Sequence, residues 1–402
     1  MASPGLLDIP YFIRPVADNI LKRGAAKLRE TADPNSYWDR SARNGNYRAV
    51  MGKFYDVMTD DGKAEWKGDA LGLKQAAKGG CDPADCSLSI ALSGGGLRVV
   101  AFLGFLEVLR EHKIPVRAYA GTSAGSLATT FDRLGVDYKT VWEVLDQRLL
   151  KSLLFALNWT GLGSGIMTGR RVMDFMSQVV RPGEGTYGKT PGLYTTSVLV
   201  NSWANPVVIG SDKKGRDVIG GDFATYRKVV FSREYDPTMK LSEGVFSSMC
   251  LPVFESLNFR RRQFSAITPD NQVIKVLSTD NGWTIDGGYA NNYPVDVLLL
   301  TNKANADPGR HIIINVAAQK PGSTEMRKQD LVQKLVYMAS DVSSEDELER
   351  ERVRYSQENV IWWEIGGKAK DVGLFDFNKL EDMKQAGRES AEKLLKAVGI
   401  LQ

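Results

Sequence analysis

The chain contains little histidine and little cysteine. Its 402 residues include two histidines, His112 and His311, and three cysteines. An odd number of cysteines spread over a long chain does not describe a disulfide framework, so we expect Cys81, Cys86 and Cys250 to be thiols in a reducing compartment. Cys81 and Cys86 have no neighbouring histidine or second cysteine pair, and the chain has no Asp-rich loop, so the sequence predicts neither a zinc nor a calcium site. We expect no metal and no cofactor.

Long apolar runs are also missing. Residues 1–24 carry Asp8 and Arg14 within their apolar stretch and lack the basic start and continuous apolar core of a secretory signal. The most apolar later segment, Leu149–Trp159, is too short to span a bilayer and is interrupted by Lys151. We therefore predict a cytoplasmic protein without a signal peptide or a transmembrane segment, and we expect its contact with membranes to be peripheral.

Neither sign of charge dominates. The chain has 52 basic and 48 acidic residues, a formal net charge of +4, and the two signs are mixed in almost every window. This balance does not favour a nucleic-acid polymer as a partner. Two basic clusters stand out, one at Arg260–Arg262 and one formed by Lys213, Lys214 and Arg216. Such clusters are usually solvated loop charges, and the alternative is contact with anionic lipid headgroups.

Three regions differ in their patterns. Residues 1–85 have helical spacing without a strand-like run or chemical motif, which predicts a helical N-terminal extension. From residue 86 to about 320, short apolar runs alternate with amphipathic helices, as is typical of a parallel or mostly parallel sheet in an α/β domain. Residues 321–402 return to helical periodicity and are predicted to form a helical C-terminal region packed on that domain. The predicted strands are 87–92, 116–120, 194–200, 205–210, 228–231, 272–277 and 311–319, and the predicted helices are 99–112, 124–134, 330–357 and 379–398.

The first chemical motif is Gly121-Thr-Ser-Ala-Gly125, which follows a predicted strand and precedes a predicted helix. A G-x-S-x-G in this strand–turn–helix context is the pattern of a nucleophile elbow. The glycines are needed because a side chain at either position would collide with neighbouring backbone. Ser123 would then project at a helix N-terminus, where the dipole and free N–H groups favour a developing negative charge. By itself the motif also fits an ordinary glycine loop.

The second motif is Ser93-Gly-Gly-Gly-Leu-Arg98, between a predicted strand and a predicted helix. Three successive glycines expose several N–H groups at one point, which suits either a phosphate or a tetrahedral oxyanion. A P-loop is disfavoured because no Gly-Lys-Ser/Thr follows, and a dinucleotide site is disfavoured because Val99 occupies the position of the last glycine.

The third motif is Ile285-Asp286-Gly287-Gly288-Tyr289. An ordinary serine-hydrolase triad needs a histidine near the serine. His112 lies at the charged end of a predicted helix and His311 opens a predicted apolar strand, so we expect both to be structural. A Ser–Asp dyad is the arrangement that remains.

The order of these motifs, SGGGLR, GTSAGS and then DGG, resembles the patatin-like phospholipase family, which also includes the cytosolic phospholipases of animals. Ser247–Phe254 is similar to the family's serine-rich segment that ends in a proline before the dyad aspartate. Asp286–Pro294 is similar to the family's D-G-G-x-x-x-N-x-P. The resemblance covers roughly residues 88–300, and the first and last eighty residues match nothing that we can name.

The resemblance implies a three-layer α/β/α fold with a mostly parallel central sheet, and a metal-independent serine esterase. Ser123 would attack an acyl ester and Asp286 would take its proton directly, through an acyl-serine intermediate. The N–H groups of Gly95 and Gly96 would stabilise the oxyanion, and Gly94 and Leu97 complete the oxyanion loop. The direct dyad requires Asp286 to be a stronger base than a solvated carboxylate, so burial should raise its pKa.

Supporting roles follow from the same motifs. Arg98 matches the family's basic residue after the glycines, which would steady the loop or meet a phosphate. The glycines of the first and third motifs, Gly121, Gly125, Gly287 and Gly288, would allow close backbone approach. Val99 departs from the glycine that many members have, which puts the geometry of the helix start in question.

Several functions remain open at this stage. The leading hypothesis is hydrolysis of glycerophospholipid acyl esters by a phospholipase of the A type that visits membranes. The alternatives are a bacterial membrane-degrading effector gated by a nucleotide second messenger or a partner protein, and a catalytically silent binding or scaffold protein of the same fold. The partners would be a phospholipid or another acyl lipid, a membrane surface and, if the enzyme needs an activator, an unidentified small molecule or protein. Leu149–Ile166 is either a mobile lid over the site or a core helix ending in a loop.

Overall fold

The computed structural model describes most of the chain between Arg14 and Gln402. The described ranges are 14–33, 49–54, 87–146, 148–150, 170–203, 207–211, 217–220, 223–251, 256–268, 270–290, 292–304, 311–318, 344–355, 358–366 and 377–402.

Helices and strands alternate through the middle of the chain. The helices are α1 (Arg14–Thr31), α2 (Val99–Glu111), α3 (Ala124–Arg133), α4 (Tyr138–Val144), α5 (Arg170–Val179), α6 (Leu241–Met249), α7 (Val295–Ala304), α8 (Ser344–Arg354) and α9 (Leu380–Ala397). The strands are β1 (Ser87–Leu92), β2 (Val116–Thr122), β3 (Leu193–Trp203), β4 (Val207–Ser211), β5 (Asp217–Gly220), β6 (Phe223–Phe231), β7 (Gln263–Ile267), β8 (Val273–Leu277), β9 (Trp283–Ile285), β10 (His311–Ala318) and β11 (Val360–Ile365).

One half of the central sheet is parallel. Its strands run in the order β11-β10-β1-β2-β3, and every neighbouring pair is parallel. All six residues of β1 are buried, as expected for a strand covered by helices on both faces. Because the strands are parallel, the loops that follow β1 and β2 emerge at the same edge of the sheet, and these loops carry the first two motifs.

The other half is antiparallel. Strands β6, β7 and β8 continue the sheet beyond β3, each antiparallel to its neighbour, and the short β9 pairs antiparallel with β3 as well. The edge strand β8 alternates exposed and partly buried residues, the pattern of a strand with one solvated face. The central sheet is therefore mixed, with parallel strands where the glycine-rich loops arise.

Helices cover both faces of the sheet, so the predicted three-layer α/β/α arrangement is confirmed. The larger apolar core joins one face to helices α1, α2, α3, α5, α6 and α9. A smaller core joins the opposite face to α7 and to residues of α8 and its end, Leu348 and Tyr355. Helix α2 is almost entirely buried because α9 packs along its outer side, where Gly387 approaches Ala101 so closely that a Cβ would lie 2.0 Å from that carbonyl oxygen.

Both ends of the chain contribute to this structure. Helix α1, from the predicted N-terminal extension, buries Leu21, Ala25 and Leu28 in the larger core. The C-terminal region contains α8 and α9 within the predicted helical stretches, but it also supplies strand β11, which the sequence analysis does not predict. Its sequence Val-Ile-Trp-Trp-Glu-Ile is apolar without alternation because it is buried on both faces, and such a run has no strand-specific period.

Some sequence predictions fall outside the described residues. These are the cysteines at 81 and 86, the basic cluster at 213–216, the segment 252–254, and residues 151–166 of the predicted lid or core helix. Leu149 and Leu150, at the start of that last segment, are buried in the larger core. In the other basic cluster, Arg261 pairs with Asp280 and Arg262 pairs with Asp236. No helix in the described part of the chain is long and apolar enough to cross a bilayer.

Candidate active site

Ser123 lies in a tight turn between β2 and α3. Its backbone has φ 51° and ψ −121°, a conformation that residues with a side chain rarely adopt and that costs free energy. The flanking glycines make the turn possible. A Cβ at Gly121 would lie 2.5 Å from the Cα of Ser126, and a Cβ at Gly125 would lie 2.3 Å from the carbonyl oxygen of Leu92. The structure therefore has the local geometry that the G-x-S-x-G motif predicts.

Asp286 reaches Ser123 from a distant part of the chain. It directly follows β9, which pairs with β3, and its N–H donates to the carbonyl oxygen of Cys250 at 2.8 Å. The hydroxyl of Ser123 donates to Asp286 Oδ2 at 2.7 Å, and the N–H of Gly288 donates to Asp286 Oδ1 at 2.7 Å. The structure thus brings together the serine and the aspartate that the sequence analysis pairs.

Burial makes the Asp286 carboxyl unusually basic. The residue is 3% exposed. Removal from water raises its pKa to about 7, against the opposing effect of the hydrogen bonds from Ser123 and Gly288, which favour the carboxylate. A carboxylate with a pKa near neutrality accepts a proton from a hydroxyl far more readily than a solvated one, so the pair is suited to direct proton transfer.

The glycine loop between β1 and α2 lies beside the pair. Gly94 contacts the serine, since a Cβ at Gly94 would lie 3.1 Å from Ser123 Cβ. The N–H of Gly94 donates to Asn292 Oδ1 at 2.9 Å. Gly96 has φ 59°, a left-handed conformation that favours glycine. Within the described part of the chain, the N–H groups of Gly95 and Gly96 donate to no protein acceptor.

The residues after the glycines start a helix without distortion. Gly96, Leu97 and Arg98 form a single 3₁₀ turn, in which Leu97 and Arg98 are buried. Val99 has φ −46° and ψ −35°, an ordinary helical conformation, and begins α2. Valine at this position, where many family members have glycine, is therefore compatible with the start of the helix.

Buried hydroxyl groups contact the backbone around Ser123 and Asp286. The hydroxyl of Ser248 accepts from the N–H of Ser123 at 2.8 Å. The hydroxyl of Ser197, on β3, lies 3.0 Å from the carbonyl oxygen of Ser247 and 2.9 Å from that of Ile285, the residue before Asp286. These contacts join α6, β3 and β9, and so they couple the position of the aspartate to that of the serine.

Neither histidine of the chain is near this pair. His112 is exposed after the end of α2, and His311 is buried at the start of β10, where its Nδ1 contacts the hydroxyl of Ser87. Both positions lie at the edge of the sheet where β1, β2 and β10 begin, whereas Ser123 follows the end of β2. Because the chain has only these two histidines, a Ser–His–Asp triad cannot form here.

Comparison with known proteins gives the family. Residues 90–299 match the family model described as patatin-like phospholipase, which is more than half of the chain and includes all three motifs. The chain belongs to the patatin-like phospholipase family. Membership supports lipid hydrolase activity. The family match also agrees with the resemblance inferred from the order of the motifs.

This chain is also similar, at low sequence identity, to two solved structures. VipD from Legionella pneumophila aligns with 14% sequence identity and a TM-score of 0.39, over 86% of this chain and 73% of VipD. Human GIVD cytosolic phospholipase A2 aligns with 10% identity and a TM-score of 0.33, over 88% of this chain and 64% of the human protein. 

Two further residues lie at the site in the structure. From the sequence alone they were noted only as parts of family motifs. Asn292 contacts the glycine loop and Ser248 contacts Ser123. In the sequence, Asn292 lies six residues after Asp286, and Ser248 lies within the serine-rich segment. These positions are the signals that the sequence offers. Their partners could not be predicted, because Gly94 and Ser123 are distant from them along the chain.

Proposed function

We propose that this chain is a serine lipid acyl hydrolase of the phospholipase A type, acting through the Ser123–Asp286 dyad. The observation that carries the proposal is the 2.7 Å hydrogen bond from Ser123 Oγ to a buried carboxylate in an elbow without histidine. A serine hydroxyl is a weak nucleophile unless a neighbouring base takes its proton, and Asp286 is the titratable group that contacts it.

The proposed reaction has two halves. Ser123 Oγ attacks the ester carbonyl while its proton passes to Asp286 Oδ2, which forms a tetrahedral oxyanion. Collapse of the oxyanion breaks the ester bond, and the leaving alcohol takes the proton from Asp286. Water then attacks the acyl-serine with Asp286 again as base, and release of the fatty acid restores the hydroxyl of Ser123.

The glycine loop would stabilise both oxyanions. The N–H groups of Gly95 and Gly96 lie in a loop that contacts Ser123 and donate to no protein group within the described residues. We assign these two as the donors. A single well-aimed donor contributes roughly 10²- to 10³-fold to such a reaction, so the loop is as important as the base.

The base implies a defined pH dependence. Asp286 must be ionised to accept the serine proton, and its pKa is raised to about 7 by burial. We therefore expect kcat/KM to rise through about pH 7 and to fall towards zero below it. With a solvated aspartate as the base, kcat/KM would rise at a pH about three units lower.

The substrate class follows from the family, and the headgroup is open. We propose that the protein works from the aqueous side at a lipid surface, since its ester substrate lies in bilayers. Two large apolar side chains of the antiparallel half, Tyr226 and Leu277, are each 61% exposed, and we propose them as candidates for contact with lipid.

The test is fatty-acid release from vesicles of mixed phospholipid and neutral lipid, with and without chelator. Intact protein is compared with Ser123→Ala, Asp286→Asn and a matched control, Ser177→Ala, whose serine lies on the exposed side of α5. We expect release that survives chelator, persists in Ser177→Ala and falls by about 10⁴-fold or more in both dyad variants. Products would identify the lipid class. Full activity in Ser123→Ala would exclude the proposed mechanism.

A fluorophosphonate probe separates the remaining outcomes. Labelling of intact protein without lipid release would point to a missing activator, as in the gated-effector alternative. Folded protein that neither labels nor releases fatty acid would favour a silent scaffold of the same fold.

A further inference from the structure

The side chain of Asn292 connects the two loops that form the candidate active site. Its Oδ1 accepts from the N–H of Gly94 at 2.9 Å. Asn292 follows Asp286 in the loop that ends at α7, whereas Gly94 belongs to the glycine loop after β1, 198 positions away. One side-chain oxygen therefore links the loop of the base to the loop of the oxyanion donors.

The oxygen lies close to both reacting groups. A Cβ placed on Gly288 would be 3.1 Å from Asp286 Oδ1 and 3.6 Å from Asn292 Oδ1, so these two oxygens are within about 7 Å of each other. A Cβ placed on Gly94 would be 2.7 Å from Asn292 Oδ1 and 3.8 Å from Ser123 Oγ. Asn292 Oδ1 and Ser123 Oγ are therefore also within about 7 Å of each other. The link is thus made beside the dyad and not at the far end of either loop.

We propose that Asn292 is a positioning residue that sets the oxyanion loop relative to the dyad. The inference rests on the proposed function. By holding Gly94 N–H, Asn292 takes the first donor of the loop out of the reaction and aims the following N–H groups, of Gly95 and Gly96, at the oxyanion. When the N–H of Gly94 is bonded to a fixed side-chain oxygen, the plane of that peptide group is fixed as well. The fixed plane limits the directions in which the next N–H groups of the loop can point.

The choice of an amide has a physical reason. An aspartate at position 292 could also accept from Gly94 N–H. It would place a second negative charge within about 7 Å of Asp286 and raise the pKa of that base further, since like charges disfavour ionisation. Asparagine supplies the acceptor oxygen without the charge.

The first experiment compares Asn292→Leu with Asn19→Leu, a control with the same chemical change on the exposed side of α1. For Asn292→Leu we expect kcat on a short-chain ester to fall by about 10²-fold with KM within about threefold of the intact protein. Asn19→Leu should leave both constants unchanged. Thermal unfolding of each variant shows whether the protein is folded.

A trifluoromethyl ketone distinguishes positioning from a purely structural role. Ser123 adds to this inhibitor and forms a stable oxyanion adduct, so its affinity depends on the oxyanion donors. We expect Ki to rise in Asn292→Leu by the same factor by which kcat/KM falls, while KM for the ester changes little.

The conservative variant Asn292→Asp provides a second readout. It keeps the acceptor oxygen, so its kcat at high pH should exceed that of Asn292→Leu by at least tenfold. The acid limb of its kcat/KM profile should move to higher pH by about 0.5 to 2 units, because the added charge opposes ionisation of Asp286. Both results would support the proposal.

Failure of this inference differs from failure of the proposed function. If the intact protein hydrolyses the ester, Ser123→Ala is inactive and folded Asn292→Leu keeps full kcat and Ki, then Asn292 has no positioning role. An Asn292→Asp variant as inactive as Asn292→Leu at every pH would also overturn it. If Ser123→Ala remains active, the dyad itself is wrong.

Discussion

The two halves of the central sheet contribute to the site in different ways. The parallel half, β11 to β3, positions the glycine loop and the serine elbow through close backbone contacts at the carboxyl ends of β1 and β2. The antiparallel half positions Asp286 through the pairing of β9 with β3 and through buried hydroxyl groups. The position of Ser123 thus depends on steric fit and that of Asp286 on polar contacts, so mutations in the two halves should have different effects.

The largest expected effect on stability comes from Asp286 itself. Its folded pKa of about 7 is above the unfolded value of about 3.9, so the folded state binds this proton more tightly and stability falls as pH rises from about 4 to about 7. Asparagine has no charge to bury. We expect Asp286→Asn to be more stable than the intact protein by up to about 4 kcal/mol at pH 8, with a much smaller difference at pH 4.

Urea unfolding at pH 4, 6 and 8 measures this difference. Asp174→Asn, an exposed aspartate on α5, is the matched control and should show no such trend. An equal effect of Asp286→Asn at all three pH values would mean that the pKa of Asp286 is not raised in the folded protein.

Gly125→Ala tests the steric fit of the parallel half. Its Cβ would lie 2.3 Å from the carbonyl oxygen of Leu92 and 2.7 Å from that of Ser93, and backbone on both sides cannot move freely. We expect a loss of about 3 kcal/mol of unfolding free energy, with loss of activity. Gly52→Ala, a glycine at which a Cβ meets nothing within 4 Å, should be neutral or slightly stabilising. Similar unfolding midpoints for both variants would contradict the close fit.

Ser197→Ala tests the polar contacts that join β3 to the antiparallel strand β9 and to α6. The variant removes the hydroxyl that contacts the carbonyl oxygens of Ser247 and Ile285 in a fully buried position. We expect a loss of about 1 to 2 kcal/mol and a several-fold fall in kcat, since Asp286 directly follows Ile285. Ser177→Ala should change neither quantity. An unchanged kcat in Ser197→Ala would show that Asp286 is positioned without this hydroxyl.

The smallest effect is expected at the exposed edge. Arg261 forms a bidentate pair with Asp280, but their side chains are 76% and 61% exposed. Solvent screens such pairs. We expect no measurable change in the urea midpoint of Arg261→Ala at physiological salt. If vesicle binding also stays unchanged, this arginine has no part in contacting anionic lipid.

Much of the fold could be predicted from the sequence, but strands β5, β7, β9 and β11 and helices α4, α5, α6 and α7 were not predicted. Strands such as β1, β2, β3 and β10 were predicted because their apolar runs are bounded by turns or helices. Strand β9 has three residues and β11 is apolar except for Glu364, so neither has a period that indicates a strand. Both become strands because a neighbour in the sheet, β3 or β10, supplies their hydrogen bonds.

The sequence by itself determined which residues are predicted to carry the chemistry. A G-x-S-x-G turn, a three-glycine loop, a D-G-G motif and a shortage of histidine predict the pairing of Ser123 with Asp286, because these features depend on neighbouring residues and on composition. Only the tertiary structure decided the strength of the base, the commitment of Gly94 N–H to Asn292 and the contact of Ser248 with Ser123. The physical reason is that desolvation and hydrogen bonding depend on groups that are far apart along the chain and meet only when the sheet has formed.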